Sequence, residues 1–80
     1  SGRSTIGFSV NEAGRVQLEV FSLTGQKIRV LADDFTNTGM HSVYWDGTDA
    51  YGSALANGLY LLRLRTESGA TISKRVMVNN

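Results

Sequence analysis

Eighty residues suffice for one hydrophobic core and are too few for two. Eight basic against seven acidic side chains leave a net charge of +1, which removes any electrostatic case for nucleic acid or an anionic membrane as partner. There is no Cys and no Pro against nine Gly, which excludes disulfides, thiolate chemistry, Cys-based zinc sites and Pro-rich linkers, and favours tight turns.

Leu, Ile, Val and Phe together make up about a quarter of the chain, enough for a globular core. No apolar run approaches the roughly 18–20 residues of a membrane span, so no direct membrane insertion is expected.

Side chains alternate with a period of two along most of the chain, the signature of half-buried strands. Ile6, Phe8 and Val10 alternate with Thr5, Gly7 and Ser9. Asn11-Glu12-Ala13-Gly14 then reads as a hairpin turn into a second strand with Val16, Leu18 and Val20 inward. Leu23-Thr24-Gly25-Gln26 is a second turn, with Gly25 free to take positive φ. Residues 27–31 form the third strand, with Ile28 and Val30 inward. Ala32 to Gly39 is polar and reads as a loop, with Phe35 tucked against the core.

Residues 40–46 form the next strand. His41, Val43 and Trp45 share one face, and the indole makes that face the core side. The stretch 46–53 is dense in turn formers, after which Leu55 drops back inward. Gly58 precedes a strong strand, Leu59 to Thr66, with Tyr60, Leu62 and Leu64 inward and Leu61, Arg63 and Arg65 outward. Glu67-Ser68-Gly69-Ala70 turns into the last strand, Thr71 to Val78, with Ile72, Val76 and Val78 inward. Lys74 falls on the inward parity, so either a bulge shifts the register or the ammonium snorkels past a sheet edge.

Six or seven short antiparallel strands in this spacing indicate an all-β, two-sheet sandwich of immunoglobulin or fibronectin type. Leu55-x-x-Gly58-x-Tyr60 supports it: a Tyr there can return its hydroxyl to an upstream backbone group, forming a tyrosine corner. Trp45, Tyr60, Leu55 and Gly58 are thus the expected structural core. Residues 1–80 read as one immunoglobulin-like module cut from a longer chain.

Few residues suggest chemistry. Asp46, Asp49 and Asn57 crowd one loop, but their spacing does not match a calcium loop and Asx-turn capping explains the two aspartates better. One His, His41, cannot build a multi-histidine site, and no Ser lies in an activating context. No enzyme activity, metal or cofactor is expected. An isopeptide crosslink at Lys74 is not expected either, since Glu19 faces outward by parity and Glu12 and Glu67 lie in turns. Trp45, Tyr44, Tyr51 and Phe21 raise carbohydrate binding as an alternative, with Tyr51 the best exposed ring. The outward side chains of the last hairpin form the candidate protein-docking surface: Leu61, Arg63, Arg65, Lys74, Arg75 and Met77.

Several segments recur in order in one group of domains: Ser4 to Val10, Gly14 to Phe21, Leu23 to Ile28, Trp45-Asp46-Gly47-Thr48-Asp49, Gly52, Asn57-Gly58-Leu59-Tyr60 and Lys74 to Val78. In these the chain resembles the immunoglobulin-like domain of the flagellar hook-capping protein family. It is equally similar to the C-terminal sorting domains of the type IX secretion system. The resemblance to a sorting domain implies a non-catalytic module of a bacterial secreted protein. Such a module is read by the secretion machinery or a cell-surface protein, adjoins upstream domains of its parent, and ends up secreted or at the cell surface. The hook-cap resemblance implies a structural or spacer module instead.

Overall fold

The computed structural model describes residues 4–79. Six strands follow one another: β1 Ser4–Val10, β2 Gly14–Phe21, β3 Lys27–Thr36, β4 Gly39–Trp45, β5 Gly58–Thr66 and β6 Thr71–Val78. They form two antiparallel sheets of unequal width. β1 pairs with β4, and the wider sheet runs β3-β2-β5-β6. This is the all-β, immunoglobulin-like sandwich that the alternation of side chains predicts.

The core lies where the inner faces meet. Val10, Val16, Leu18 and Leu64 form one buried group; Val20, Trp45, Leu62 and Val78 form the other. Ile6 and Leu31 pack against both and join them. Trp45 is 1% exposed, the largest fully buried side chain, and its Nε1–H donates to the Thr48 carbonyl at 3.0 Å, so the indole is enclosed without an orphaned donor. The tyrosine corner is present: the Tyr60 hydroxyl donates to the Ala56 carbonyl at 2.7 Å. Gly58, at φ +148°, opens β5 in a conformation that side chains disfavour, and a Cβ there would meet no atom within 4 Å, so the backbone alone demands the glycine. Leu55 packs against the Trp45 group as expected.

β3 departs most from expectation. It runs on to Thr36, ten residues, and Ala32–Thr36 pairs with Gly14–Leu18 of β2 where a loop is expected. Its polar composition reflects an edge strand, in which Asp33 faces solvent beside Arg15. Register shifts opposite Leu18/Glu19 and Val20/Phe21 leave Leu31 and Ile28 as extra residues on the β3 side. The parity therefore changes: Ile28 and Leu31 pack inward, while Val30 is 46% exposed and not a core residue. Phe35, on the strand rather than in a loop, does not tuck under; it is 68% exposed.

Two inward positions of β6 also differ. Ile72 is 66% exposed because the narrow sheet stops short of it, although Val78 is fully buried. The β5–β6 register is continuous, so no bulge turns Lys74 away; it stays on the inner face of an edge strand and is exposed there. His41 is half-buried, stacked on Phe8 with ring centroids 5.7 Å apart, and Nε2 lies 2.7 Å from the Asn37 carbonyl.

Truncating Trp45 to Ala should cost about 3–5 kcal/mol, a large part of the stability of so small a domain. Tyr60→Phe should cost about 1 kcal/mol, the worth of one hydrogen bond. Urea unfolding followed by far-UV circular dichroism measures both; an unchanged midpoint for Tyr60→Phe means the corner bond contributes nothing.

Candidate interaction surfaces

The loop after β4 is consumed by its own architecture. Asp46 Oδ1 accepts from the Thr48 amide at 3.2 Å and from the Thr48 hydroxyl, and lies 3.0 Å from the Arg29 guanidinium. Its pKa sits below the usual range, first through the Thr48 hydroxyl bond. Asp49 Oδ1 accepts the amides of Tyr51 and Ser53 at 2.9 and 3.0 Å. These are Asx-type caps that hold the turn by which Thr48 bridges to Ala54. Oxygens so engaged serve the loop itself, and among the described residues no cluster of three metal-ligating side chains exists.

The aromatic residues separate in the same way. Trp45 is sealed in the core and offers no face to a sugar. The Arg63 guanidinium lies 4.4 Å over the Phe21 ring and covers it. Tyr51, 93% exposed, and Tyr44, 59% exposed, remain in solvent.

The outer face of the wide sheet carries an ionic cluster. Glu19 follows the expected outward parity but is buried, at 2% exposure, because β2 is an inner strand and long side chains close over it from both sides. Arg63 sits opposite on β5 and its Nη2 lies 3.1 Å from Glu19 Oε1; Lys27 at the start of β3 places Nζ 2.9 Å from Oε2. One register step along, Arg65 clasps Gln17 Oε1 with two N–H groups at 3.0 and 2.7 Å. Arg15 grips Asp33 through both carboxylate oxygens at the far edge. Burial alone would push the Glu19 carboxyl up. The hydrogen bonds and charges of Lys27 and Arg63 outweigh that and hold its pKa below the ordinary value.

The docking residues expected on one face are divided by the structure. Leu61, Arg63, Arg65, Arg75 and Met77 do share the outer face. Arg63 and Arg65 are committed to cross-strand partners there, whereas Arg75 is exposed and Met77 is 58% exposed beside Leu59. Lys74, paired in register with the core residue Leu62, points to the opposite side of the sheet. Alternation set Glu19 aside as an outward residue and gave no sign of Lys27 and Gln17. The available signal was Leu18-Glu19-Val20, a carboxylate between two core residues, but only the β2–β5 register shows that Arg63 is its partner.

The FlgD Ig-like domain family model matches residues 1–70. The chain belongs to that family. FlgD from P. aeruginosa is similar in structure, with a TM-score of 0.73 at 19% identity over 95% of this chain and 60% of that one. FlgD from Xanthomonas campestris, solved for insight into the hook capping essential for flagellar assembly, gives 0.71 at 28% identity over 96% of this chain and 57% of that one. The chain thus spans less than two-thirds of either protein. No curated protein matches. Of the two families that the sequence resembles equally, these findings support the hook-capping one and give the type IX sorting domain no support.

Glu19→Gln should destabilise the domain by about 1–3 kcal/mol at neutral pH, less than for a wholly buried pair because Lys27 and Arg63 can return to water. A carboxyl whose folded pKa lies below its ordinary 4.5 stabilises fully above that value and loses the contribution as pH falls through the folded pKa. The gap between the two proteins in urea melts should therefore be widest at neutral pH and narrow only as the pH falls below 4.5, through the lowered folded pKa. A gap that is constant with pH would mean that charge plays no part.

Proposed function

We propose that this chain is a non-catalytic, structural immunoglobulin-like module of the hook-cap type that works by contact with protein. The match of the FlgD Ig-like family over residues 1–70 carries the reading, and it favours the structural role over secretion sorting. The domain's own chemistry is compatible with it: the aspartates of the long loop are spent on capping and the buried carboxylate on two cations. On this reading the module acts outside the cell, joined to further domains of its parent. Its contact face is the outer surface of β5 and β6, where Arg75 and Met77 are exposed and Leu61 lies between them and the paired side chains of Arg63 and Arg65. Apolar area flanked by Arg is the composition of protein-contact surfaces.

Two fusions separate the structural reading from sorting. The chain replaces the Ig-like region of FlgD from Xanthomonas campestris, and hooks are counted by electron microscopy. The same chain is also joined to a reporter with its own export signal in a bacterium that has type IX secretion. Hooks in the chimera and a reporter held in the periplasm are expected. Reporter delivered to the cell surface, with no hooks formed by a stable chimera, would overturn the proposal.

A further inference from the structure

The two sheets do not match in width: two strands face four. Among the described residues β1 pairs only with β4, and its other edge is free. Beside that edge lies an open slot of about 240 Å³, walled by Ile6 and Phe8 of β1 and floored by Leu62, Leu64, Ile72 and Lys74 of the wide sheet. Ile72 is a core residue by position and 66% exposed in fact, since no strand of the described residues stands opposite it. The vacant place is that of a third strand of the narrow sheet, which would lie over β6.

β1 also lacks the devices that guard an edge against pairing. Ser4–Val10 contains no charged residue and no proline, and its register with β4 runs unbroken from end to end. The far edge strand of the wide sheet is built differently: β3 carries Lys27, Arg29, Asp33 and Asp34 and is bulged at two points. β4, the other strand of the narrow sheet, likewise carries no Asp, Glu, Lys, Arg or Pro, but the edge of β1 is the one that borders the apolar slot.

Charge selects the occupant. Lys74 stands at the slot and Arg75 borders its continuation past Ser4 and Thr5, and no carboxylate lines either part. Among the described residues nothing pairs with the Lys74 ammonium. A second copy of this chain adding its own β1 would bring no acid to that position, because β1 has none.

We infer that the free edge of β1 accepts an extended peptide segment of a partner protein, which adds as a third strand, sets alternate apolar side chains into the slot over Leu64 and Ile72, and places one inward carboxylate at Lys74. Backbone hydrogen bonds along β1 supply affinity, and the slot supplies sequence choice. Only the inward parity reaches Lys74, so an acid one position along faces solvent and does not count. This inference stands on the open slot and is independent of the hook-cap reading.

The test uses capped peptides of about seven residues, the length of a strand to match β1. They alternate Thr with Val, and one central Val is replaced by Glu or by Lys. Binding to the isotopically labelled chain is followed by amide shifts. The Glu peptide should perturb residues of β1 together with Ile72 and Lys74, and bind about fivefold more tightly than the Lys peptide. Lys74→Glu, a change at an exposed side chain, should reverse that preference while leaving the fold intact. Equal affinity for both peptides, shifts confined to β3, no shifts at millimolar peptide, or a chain that instead dimerises through β1 would each overturn it.

Discussion

The indole of Trp45 sits where the narrow sheet meets the wide one, and most of the architecture can be traced from its enclosure. Burying so large a ring needs apolar partners from several strands, and Val20, Leu62 and Val78 supply them from β2, β5 and β6. It needs a partner for the ring N–H as well, and the Thr48 carbonyl meets that need only if the chain turns sharply after β4. The capping bonds of Asp46 and Asp49 make that turn. The tyrosine corner then fixes the return into β5, so the long loop is bound at both ends to the same core.

A second constraint follows from strand order. An inner strand has a neighbour at each edge, so long side chains from β3 and β5 close over Glu19 on the outer face of β2 and keep its carboxylate from bulk water. Two cations converge on it, from β3 and from β5, and with the flanking Arg65–Gln17 and Arg15–Asp33 pairs they lace the outer face of three strands. Such a network contributes less to net stability than to register: a slip of one residue would bury the carboxylate without its partners. The same lacing withdraws Arg63 and Arg65 from free surface chemistry and leaves Arg75 and Met77 as the accessible part of the hairpin.

The faces and edges of this domain are unequal because its two sheets differ in width. The two sides of β6 illustrate how differently they can be used. Its outer side chains continue a laced surface; its inner ones, Ile72 and Lys74, look across a slot that the two-stranded sheet is too narrow to close. On the readings proposed above, an incomplete sandwich of this kind offers both an interaction surface and an interaction edge within 80 residues.

Local pattern in the chain sufficed for every strand but the second half of β3, and for the sandwich class, the indole at the core and the tyrosine corner. Each depends on alternation, on turn-forming residues or on a short fixed spacing, all of which are visible along one dimension. The resemblance to hook-capping domains was legible for the same reason, in Trp45-Asp46-Gly47-Thr48-Asp49 and the Asn57-Gly58-Leu59-Tyr60 that follows. What the chain alone left undecided was every property set by a neighbour distant in sequence. Whether Ala32–Thr36 is loop or edge strand depends on pairing with Gly14–Leu18, and the parity of Val30 depends on bulges measured against that partner. The burial of Glu19 and the exposure of Ile72 follow from which strands lie beside and above them. Alternation assigns a side chain to a face of its sheet; only the tertiary arrangement decides whether anything covers that face, because coverage is a matter of how wide the opposing sheet is, and no single strand encodes it.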